Sequence, residues 1–287
     1  MMKIISGSAL SKEIRIRLSS DVAQAVKTYS RSPKLSIILV GDQLDSIKYV
    51  KNKQKACAET GMDCEIHHLP GRVDQKTIMQ LVDQLNKETT TDGILIQLPL
   101  PCHLNTEEIL LSVDYRKDAD GLHTFNAGCL ADGISGILPC TPKGILSLLR
   151  YGNIAMSGKH AVVLGRSNLV GKPAAQLLLR ENATVTICHS FTNDLTQIVK
   201  QADILVLAMG NPDVVTPNML KPGVAIVDVA MNMVEGQLSG DIFQKRYLPQ
   251  LENIAGAITP VPGGVGPMTI TSLLENTFDI YKSQFLS

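Results

Sequence analysis

The sequence predicts an α/β protein built from two α/β domains with a cleft between them, the second a Rossmann-like dinucleotide-binding domain. Three observations carry this reading. Short apolar runs alternate with helical stretches, the mark of βαβ units. Several runs (SIILV, AVVLG, DILVLA) are rich in Val, Ile and Leu on both faces, which suits parallel strands covered on both sides. A loop-like interval then separates two sets of strands, each dense enough for its own sheet.

In chain order, strands are expected over 34–40, 63–68, 93–97, 160–164, 183–188, 204–208 and 224–229. Helical patterns fill 8–29, 45–60, 75–88, 141–151, 171–181 and 195–201. Between about 98 and 142 the βα rhythm breaks. LPLPCHLN and ILPCTPKG are proline-rich, and DADGLHTFNAGCLADGISG is rich in Gly and Asp, which is loop chemistry. Clefts between domains are favoured ligand sites. A second Gly/Pro-rich loop, TPVPGGVGPMT at 259–269, precedes a final helical stretch that can fold back on either domain.

Composition narrows the functions. Of 287 residues, 44% are hydrophobic and 19% charged, which supports a packed core rather than disorder. The 27 basic residues balance 27 acidic ones, so no long-range field draws nucleic acid or anionic membrane. Any anionic ligand must be held by a local site. Trp is absent and aromatics are only 4%, which argues against base-stacking platforms. The N-terminus lacks the apolar core of a secretory signal, and no apolar run approaches the roughly 18 residues of a membrane span. A cytoplasmic protein without membrane or nucleic-acid partners is expected. The six cysteines are scattered without a CxxC pair and read as reduced residues. No dedicated metal site is expected: there is no HExxH, and His67 and His68 are neighbours on a strand, pointing to opposite faces.

The run 160–164 is a strand and 170–181 a helix, joined by Gly165-Arg166-Ser167-Asn168-Leu169. Strand, glycine turn and helix form the context of a dinucleotide site, where backbone N–H groups take a pyrophosphate. The spacing is not GxGxxG, so an ordinary βα turn is the competing reading. In an NAD site the next strand usually ends in a carboxylate that binds the ribose 2′-hydroxyl. Here it ends Cys188-His189-Ser190-Phe191. Ser190 and Arg166 can instead hold a 2′-phosphate, which favours NADP. The alternative is that Arg166 is a solvated surface residue.

On the helix 45–60, Lys48, Lys51 and Lys55 fall within an arc of roughly 60°. Lys53 lies on the other side, with Ser46, Tyr49, Val50, Ala56, Cys57 and Thr60. Tyr49 and Lys53 are i and i+4, so their side chains can touch. A lysine on the inward stripe is desolvated, which disfavours its charged form and suits a proton carrier. A snorkelling lysine over a core edge is the plain alternative. Gln97 ends a strand, and ligands of open α/β sheets sit beyond such ends. Asp118 and Asp120 lie in KDADG, where Asx-turn chemistry alone accounts for them.

These segments resemble the bifunctional methylenetetrahydrofolate dehydrogenase/cyclohydrolase (FolD) family. The matching stretches are SIKYVKNKQKAC (46–57), DGILIQLPLP (92–101), KDADG (117–121), PCTPKG (139–144), GRSNLVGKP (165–173), ATVTICHS (183–190), ADILVLAMGNP (202–212) and TPVPGGVGPMT (259–269). They span nearly the whole chain in family order. The resemblance implies NADP-dependent oxidation of 5,10-methylenetetrahydrofolate to the methenyl cation, then hydrolysis to 10-formyltetrahydrofolate. It implies catalytic roles for Lys53, Tyr49, Gln97 and Asp120: Lys53 transfers protons, Gln97 orients it, Tyr49 packs on the folate, and Asp120 holds the pterin edge. Ser46, Pro262, Gly263 and Gly264 join the substrate contacts. NADP is implied on Gly165, Arg166, Ser167, Ser190 and Met231. Two positions depart from the family. Ala230 replaces its usual glycine, and the methyl narrows the approach to the nicotinamide. Phe191 replaces a frequent basic residue, which leaves Arg166 the larger share of 2′-phosphate recognition. The implied layout is a catalytic folate domain of residues 1–121 plus 266–287, an NADP domain of 122–265, and a homodimer. The alternatives are an NAD(P)-dependent dehydrogenase of another small substrate without cyclohydrolase activity, and a non-catalytic two-lobed binding protein.

Overall fold

Parallel pairing dominates the computed structural model, which describes residues 2–234 and 236–285. In chain order the elements are β1 (Lys3–Ile4), α1 (Gly7–Tyr29), β2 (Lys34–Val40), α2 (Leu44–Thr60), β3 (Asp63–Leu69), α3 (Gln75–Lys87), β4 (Gly93–Ile96), α4 (Thr106–Ser112) and α5 (Thr124–Asp132). There follow α6 (Cys140–Tyr151), β5 (His160–Leu164), α7 (Gly171–Arg180), β6 (Thr184–Cys188), α8 (Leu195–Val199), β7 (Ile204–Leu207) and β8 (Ala225–Asp228). The last are β9 (Asn232–Val234), β10 (Gln237–Ser239), α9 (Gln244–Ile254), β11 (Ala257–Ile258) and α10 (Val265–Ser283). No helix among the described residues is long and apolar enough to cross a membrane.

The chain divides into two compact units, Met1–Lys12 with Pro139–Thr269, and Glu13–Leu138 with Ile270–Ser287. These bounds differ from the expected 1–121 plus 266–287 and 122–265, and local pairing explains the differences. The first residues join the dinucleotide-type unit because Lys3 and Ile4 pair with Ala257 and Ile258. The segment after 121 stays with the lysine-bearing unit because Asn126 Nδ2 donates to Asp118 Oδ2 at 2.9 Å and to the Tyr115 carbonyl at 2.9 Å. Residues 1, 286 and 287 of the expected first domain lie outside the described residues.

The lysine-bearing unit holds a parallel sheet of order β3-β2-β4. Its central strand β2 is buried along nearly its whole length, as its apolar run SIILV demands. Ile78, Val82 and Leu85 of α3, spaced at i, i+4 and i+7, form the buried stripe that covers the sheet with Ile38, Ile94 and Ile109. The chain leaves β2 for β3 on one side and reaches β4 on the other. That makes a topological switch point at the carboxyl ends of β2 and β4.

The other unit holds a six-stranded sheet of order β1-β11-β8-β7-β5-β6, every neighbouring pair parallel. Here the switch point falls between β5 and β7. The strands β7 and β8 are buried throughout, as is β5 after its first residue.

The interval read as loop contains two helices. Asn105 Oδ1 accepts the Glu108 N–H at 3.3 Å to start α4, and Glu107 and Glu108 complement its N-terminus. His123 Nδ1 accepts the Phe125 N–H at 3.0 Å to start α5, which ends on left-handed Gly133. Caps, not apolar periodicity, define both.

The returning helix α10 is anchored within the lysine-bearing unit. Asn276 Nδ2 donates to the Ala119 and Leu138 carbonyls at 3.0 and 2.9 Å. The Tyr281 hydroxyl donates to the Arg31 carbonyl at 2.8 Å, while the Arg31 guanidinium sits 4.6 Å from the Tyr281 ring centre. That guanidinium also makes a bidentate pair with the fully buried Asp92, both bonds 2.7 Å. Arg31→Met leaves the Asp92 carboxylate buried with only the Lys34 N–H, 2.8 Å away. It should lower the unit's stability by about 3 kcal/mol, read as an earlier urea midpoint by far-UV circular dichroism. An unchanged midpoint would show that the pair does not anchor the helix.

Candidate active site and dinucleotide turn

The switch point of the lysine-bearing unit is where the inward lysine arrives. Lys48, Lys51 and Lys55 are exposed on α2, whereas Ser46 is buried and Tyr49 and Lys53 are half-buried. Lys53 Nζ donates to Gln97 Oε1 at 2.8 Å. Gln97 is itself buried just past β4, and two bonds fix it: its N–H donates to the Ile38 carbonyl at 2.9 Å, and its Nε2 to the Leu98 carbonyl at 2.6 Å. Burial pushes the Tyr49 phenol above its ordinary pKa, and the nearby Asp45 adds to the rise.

The two aspartates of KDADG take different places. Asp118 bridges to Ile94 beside β4 and is buried, its carboxylate accepting the N–H groups of Gly121 at 3.1 Å and His123 at 2.8 Å. That is the Asx-turn role. Asp120 is half-buried, two residues further on.

In the other unit, Gly165 follows β5 with φ +120°, and its N–H donates to the Cys188 carbonyl at 2.9 Å. A Cβ there would stand 2.3 Å from the Ala208 carbonyl oxygen. A Cβ on Gly171, at the start of α7, would stand 2.1 Å from the Gly165 carbonyl oxygen. The turn is thus bare backbone pressed between β5, β7 and a helix N-terminus, which fits a dinucleotide phosphate pair. Ser167 Oγ accepts the Val170 N–H at 3.1 Å, which leaves its hydroxyl proton available to donate outward. Arg166, Ser167, Ser190 and Met231 are all exposed around the strand ends. Pro262 is exposed, and Gly263 accepts the Ser8 N–H at 2.9 Å at the start of α1. No group of three or more His, Cys, Asp or Glu that could hold a metal occurs among the described residues.

Two buried aspartates, unremarked in the sequence, hold the loops beyond β7 and β8. Asp241 accepts the N–H groups of Met209, Gly210 and Asn211 at 2.7, 3.2 and 2.8 Å, and Asn232 Nδ2 at 3.1 Å. Asp228 accepts those of Ala230, Asp241 and Ile242 at 3.3, 3.0 and 3.1 Å. The signal was present: Gly240 precedes Asp241, and its missing side chain leaves room for the Asp228 carboxyl.

Burial pushes the Asp228 carboxyl up to about 7, against the pull of its three N–H donors, and the neighbouring Asp241 charge adds to the rise. Its unfolded value is about 3.9. The folded state therefore holds this proton more tightly, and the associated stability, complete below about pH 4, is lost as pH rises through about 7. Asp228→Asn cannot ionise. Between pH 5 and 8 the wild type should lose stability on the order of 2 kcal/mol more than this variant, measured by urea unfolding at each pH. Identical pH dependence would place the titration elsewhere.

Comparison with known proteins agrees with this geometry. Residues 5–120 match the family model "Tetrahydrofolate dehydrogenase/cyclohydrolase, catalytic domain", and residues 139–285 match its "NAD(P)-binding domain". The chain is 47% identical to the Bifunctional protein FolD of Listeria innocua over 98% of both chains. It is similar to the crystal structure of FolD from Campylobacter jejuni, at 42% identity and a TM-score of 0.95, covering 99% of this chain and 100% of that one. It is also similar to the Trypanosoma brucei FolD structure complexed with NADP cofactor and inhibitor, at 37% identity and a TM-score of 0.94, covering 100% of this chain and 99% of that one. With a turn built for a dinucleotide, a lysine fixed at a second switch point, and relatives that match from end to end, the chain belongs to the tetrahydrofolate dehydrogenase/cyclohydrolase family.

Proposed function

We propose that this protein oxidises 5,10-methylenetetrahydrofolate to 5,10-methenyltetrahydrofolate with NADP⁺ and then hydrolyses the product to 10-formyltetrahydrofolate. The Lys53–Gln97 hydrogen bond carries the reading, because it fixes an amine that can move protons at a strand-end ligand position. NADP supplies the hydride acceptor when bound. The hydride leaves a carbon flanked by two nitrogens whose lone pairs stabilise the cation, so the chain's task in that step is positioning.

Hydrolysis needs proton transfer. Lys53 Nζ takes a proton as water adds to the methenyl carbon and returns one to the departing ring nitrogen. Gln97 orients the amine, Tyr49 offers a half-buried ring for the substrate to pack on, and Asp120 accepts hydrogen bonds from the pterin edge. Ser46 joins the substrate contacts within the same unit, whereas Pro262, Gly263 and Gly264, expected beside it, belong to the other unit; Gly165, Arg166, Ser167, Ser190 and Met231 hold the cofactor. The folate is assigned to the lysine-bearing unit and NADP to the unit with the six-stranded sheet. The same reading includes a cytoplasmic location and a homodimer joined through the latter unit; the dimer is supported by that unit's edge strand β6, whose Ile187 is exposed.

Lys53→Met should slow methenyltetrahydrofolate hydrolysis by about 10²- to 10⁴-fold while NADP⁺ affinity is unchanged, followed by absorbance and by equilibrium binding. Equal hydrolysis by both proteins would remove Lys53 from the mechanism. Arg166→Ala should raise the KM for NADP⁺ about ten- to a hundredfold, with a far smaller effect on NAD⁺, as the loss of a charge-assisted contact implies. Equal effects on both cofactors would refute a 2′-phosphate role.

A further inference from the structure

Past the adjacent ends of β5 and β6, two short turns lie side by side. The first carries Arg166, directly after Gly165. The second runs over residues 189–192 and is closed by three hydrogen bonds: His189 N–H to Thr192 Oγ1 at 2.9 Å, Thr192 N–H to the His189 carbonyl at 2.8 Å, and Phe191 N–H to His189 Nδ1 at 3.2 Å. The Gly165 bond to the Cys188 carbonyl ties the two together. The closed turn holds Phe191 outward at 78% exposure, the highest of any aromatic side chain among the described residues. One edge of its ring faces His189, with ring centres 6.2 Å apart at 67°. The Arg166 guanidinium lies over the ring, 5.7 Å from its centre.

Among the described residues, no carboxylate forms an ion pair with Arg166, whereas Arg31, Arg150 and Arg246 each have one. A guanidinium resting on an aromatic face is held by the ring's quadrupole while its N–H edges still point outward in plane. Those edges match two oxygens of a phosphate monoester.

We infer that Phe191 is the positioning residue for cofactor choice: its ring presets the Arg166 guanidinium to receive the 2′-phosphate of NADP. This rests on the reading that Arg166 binds that phosphate, and it goes further in assigning selectivity to an uncharged neighbour. Because the ring adds no charge of its own, it leaves the 2′-hydroxyl of NAD without penalty. Selectivity then depends on one preset cation rather than on two.

The test is isothermal titration of the full chain with adenosine 2′,5′-bisphosphate and with adenosine 5′-monophosphate. Phe191→Leu should weaken the bisphosphate about two- to fivefold, the range of a cation–π contact at an exposed site, and leave the monophosphate unchanged. Phe191→Tyr keeps the ring and should restore wild-type values. In an Arg166→Ala background, Phe191→Leu should have no further effect on the ratio of the two affinities. If Phe191→Leu weakens both ligands alike, or neither, the inference is overturned. If Arg166→Ala itself leaves the ratio intact, the underlying reading of Arg166 fails instead. Far-UV circular dichroism of each variant confirms the fold.

Discussion

The hydrogen bond from Lys53 to Gln97 constrains the chemistry of its unit because every atom that sets it is itself fixed. Gln97 continues the β4 direction, and its N–H bond to Ile38 holds the backbone against β2. Its Nε2 is committed to the Leu98 carbonyl, so Oε1 is the end presented to the amine. An amide oxygen accepts a hydrogen bond without carrying a charge. A carboxylate at position 97 would attract the ammonium and favour its charged form. Glutamine thus gives the lysine a fixed direction while leaving its proton exchangeable. Tyr49, one turn earlier on the same helix, is a neutral phenol whose pKa burial raises further.

The dinucleotide-type unit solves a different problem, which is to keep backbone loops in place beyond parallel strands. Loops past strand ends expose N–H groups that no ladder satisfies. Asp241 gathers three consecutive ones after β7, and Asp228 gathers three after β8. Two buried carboxylates thereby tie the segments 209–211, 230–232 and 240–242 into one assembly. The glycine at 165 acts on the other side of the switch point, where only bare backbone lets the β5 turn lie against Ala208. Together they hold both walls of the crevice in which open sheets bind ligands.

Much of this was legible in the residues. All seven expected strands are present; β2, β4, β5, β7 and β8 are buried almost throughout and therefore apolar, while β3 and β6, each at a sheet edge, are only partly buried. The α2 face was legible because helical geometry places Lys53 away from Lys48, Lys51 and Lys55 whatever the tertiary fold. Elements set by other forces escaped. α4 and α5 depend on the side-chain caps Asn105 and His123 inside a Gly- and Pro-rich stretch. β1 and β11 are two-residue strands that exist only through pairing with each other and with β8, a contact spanning more than 250 residues that no local pattern announces. Asp228, inside the expected strand 224–229, and Asp241 drew no reading of their own, since most of the donors they collect are distant in sequence. Asp118 is a mixed case: its turn bonds to the Gly121 and His123 N–H groups follow local chemistry, while its bond from Asn126 Nδ2 does not.

The balance of 27 cations and 27 anions gives the molecule no field to guide an anionic cofactor, so recognition depends on which charges are left uncompensated. Several cations have carboxylate partners. Arg31 is matched by Asp92, Lys34 by Glu65 and Glu88, Lys221 by Asp203, and Arg246 by Asp213. Arg166 lies 5.7 Å from the centre of an aromatic ring beside a glycine turn, and Lys53 donates to an amide oxygen. Neither contact brings a negative charge of its own. On the proposed reading, a carboxylate in place of the Phe191 ring would offset the charge offered to a phosphate, and one in place of the Gln97 amide would favour the charged ammonium and hold back its proton. Direction supplied by an uncharged group is the feature these two contacts share, although they sit on separate sheets.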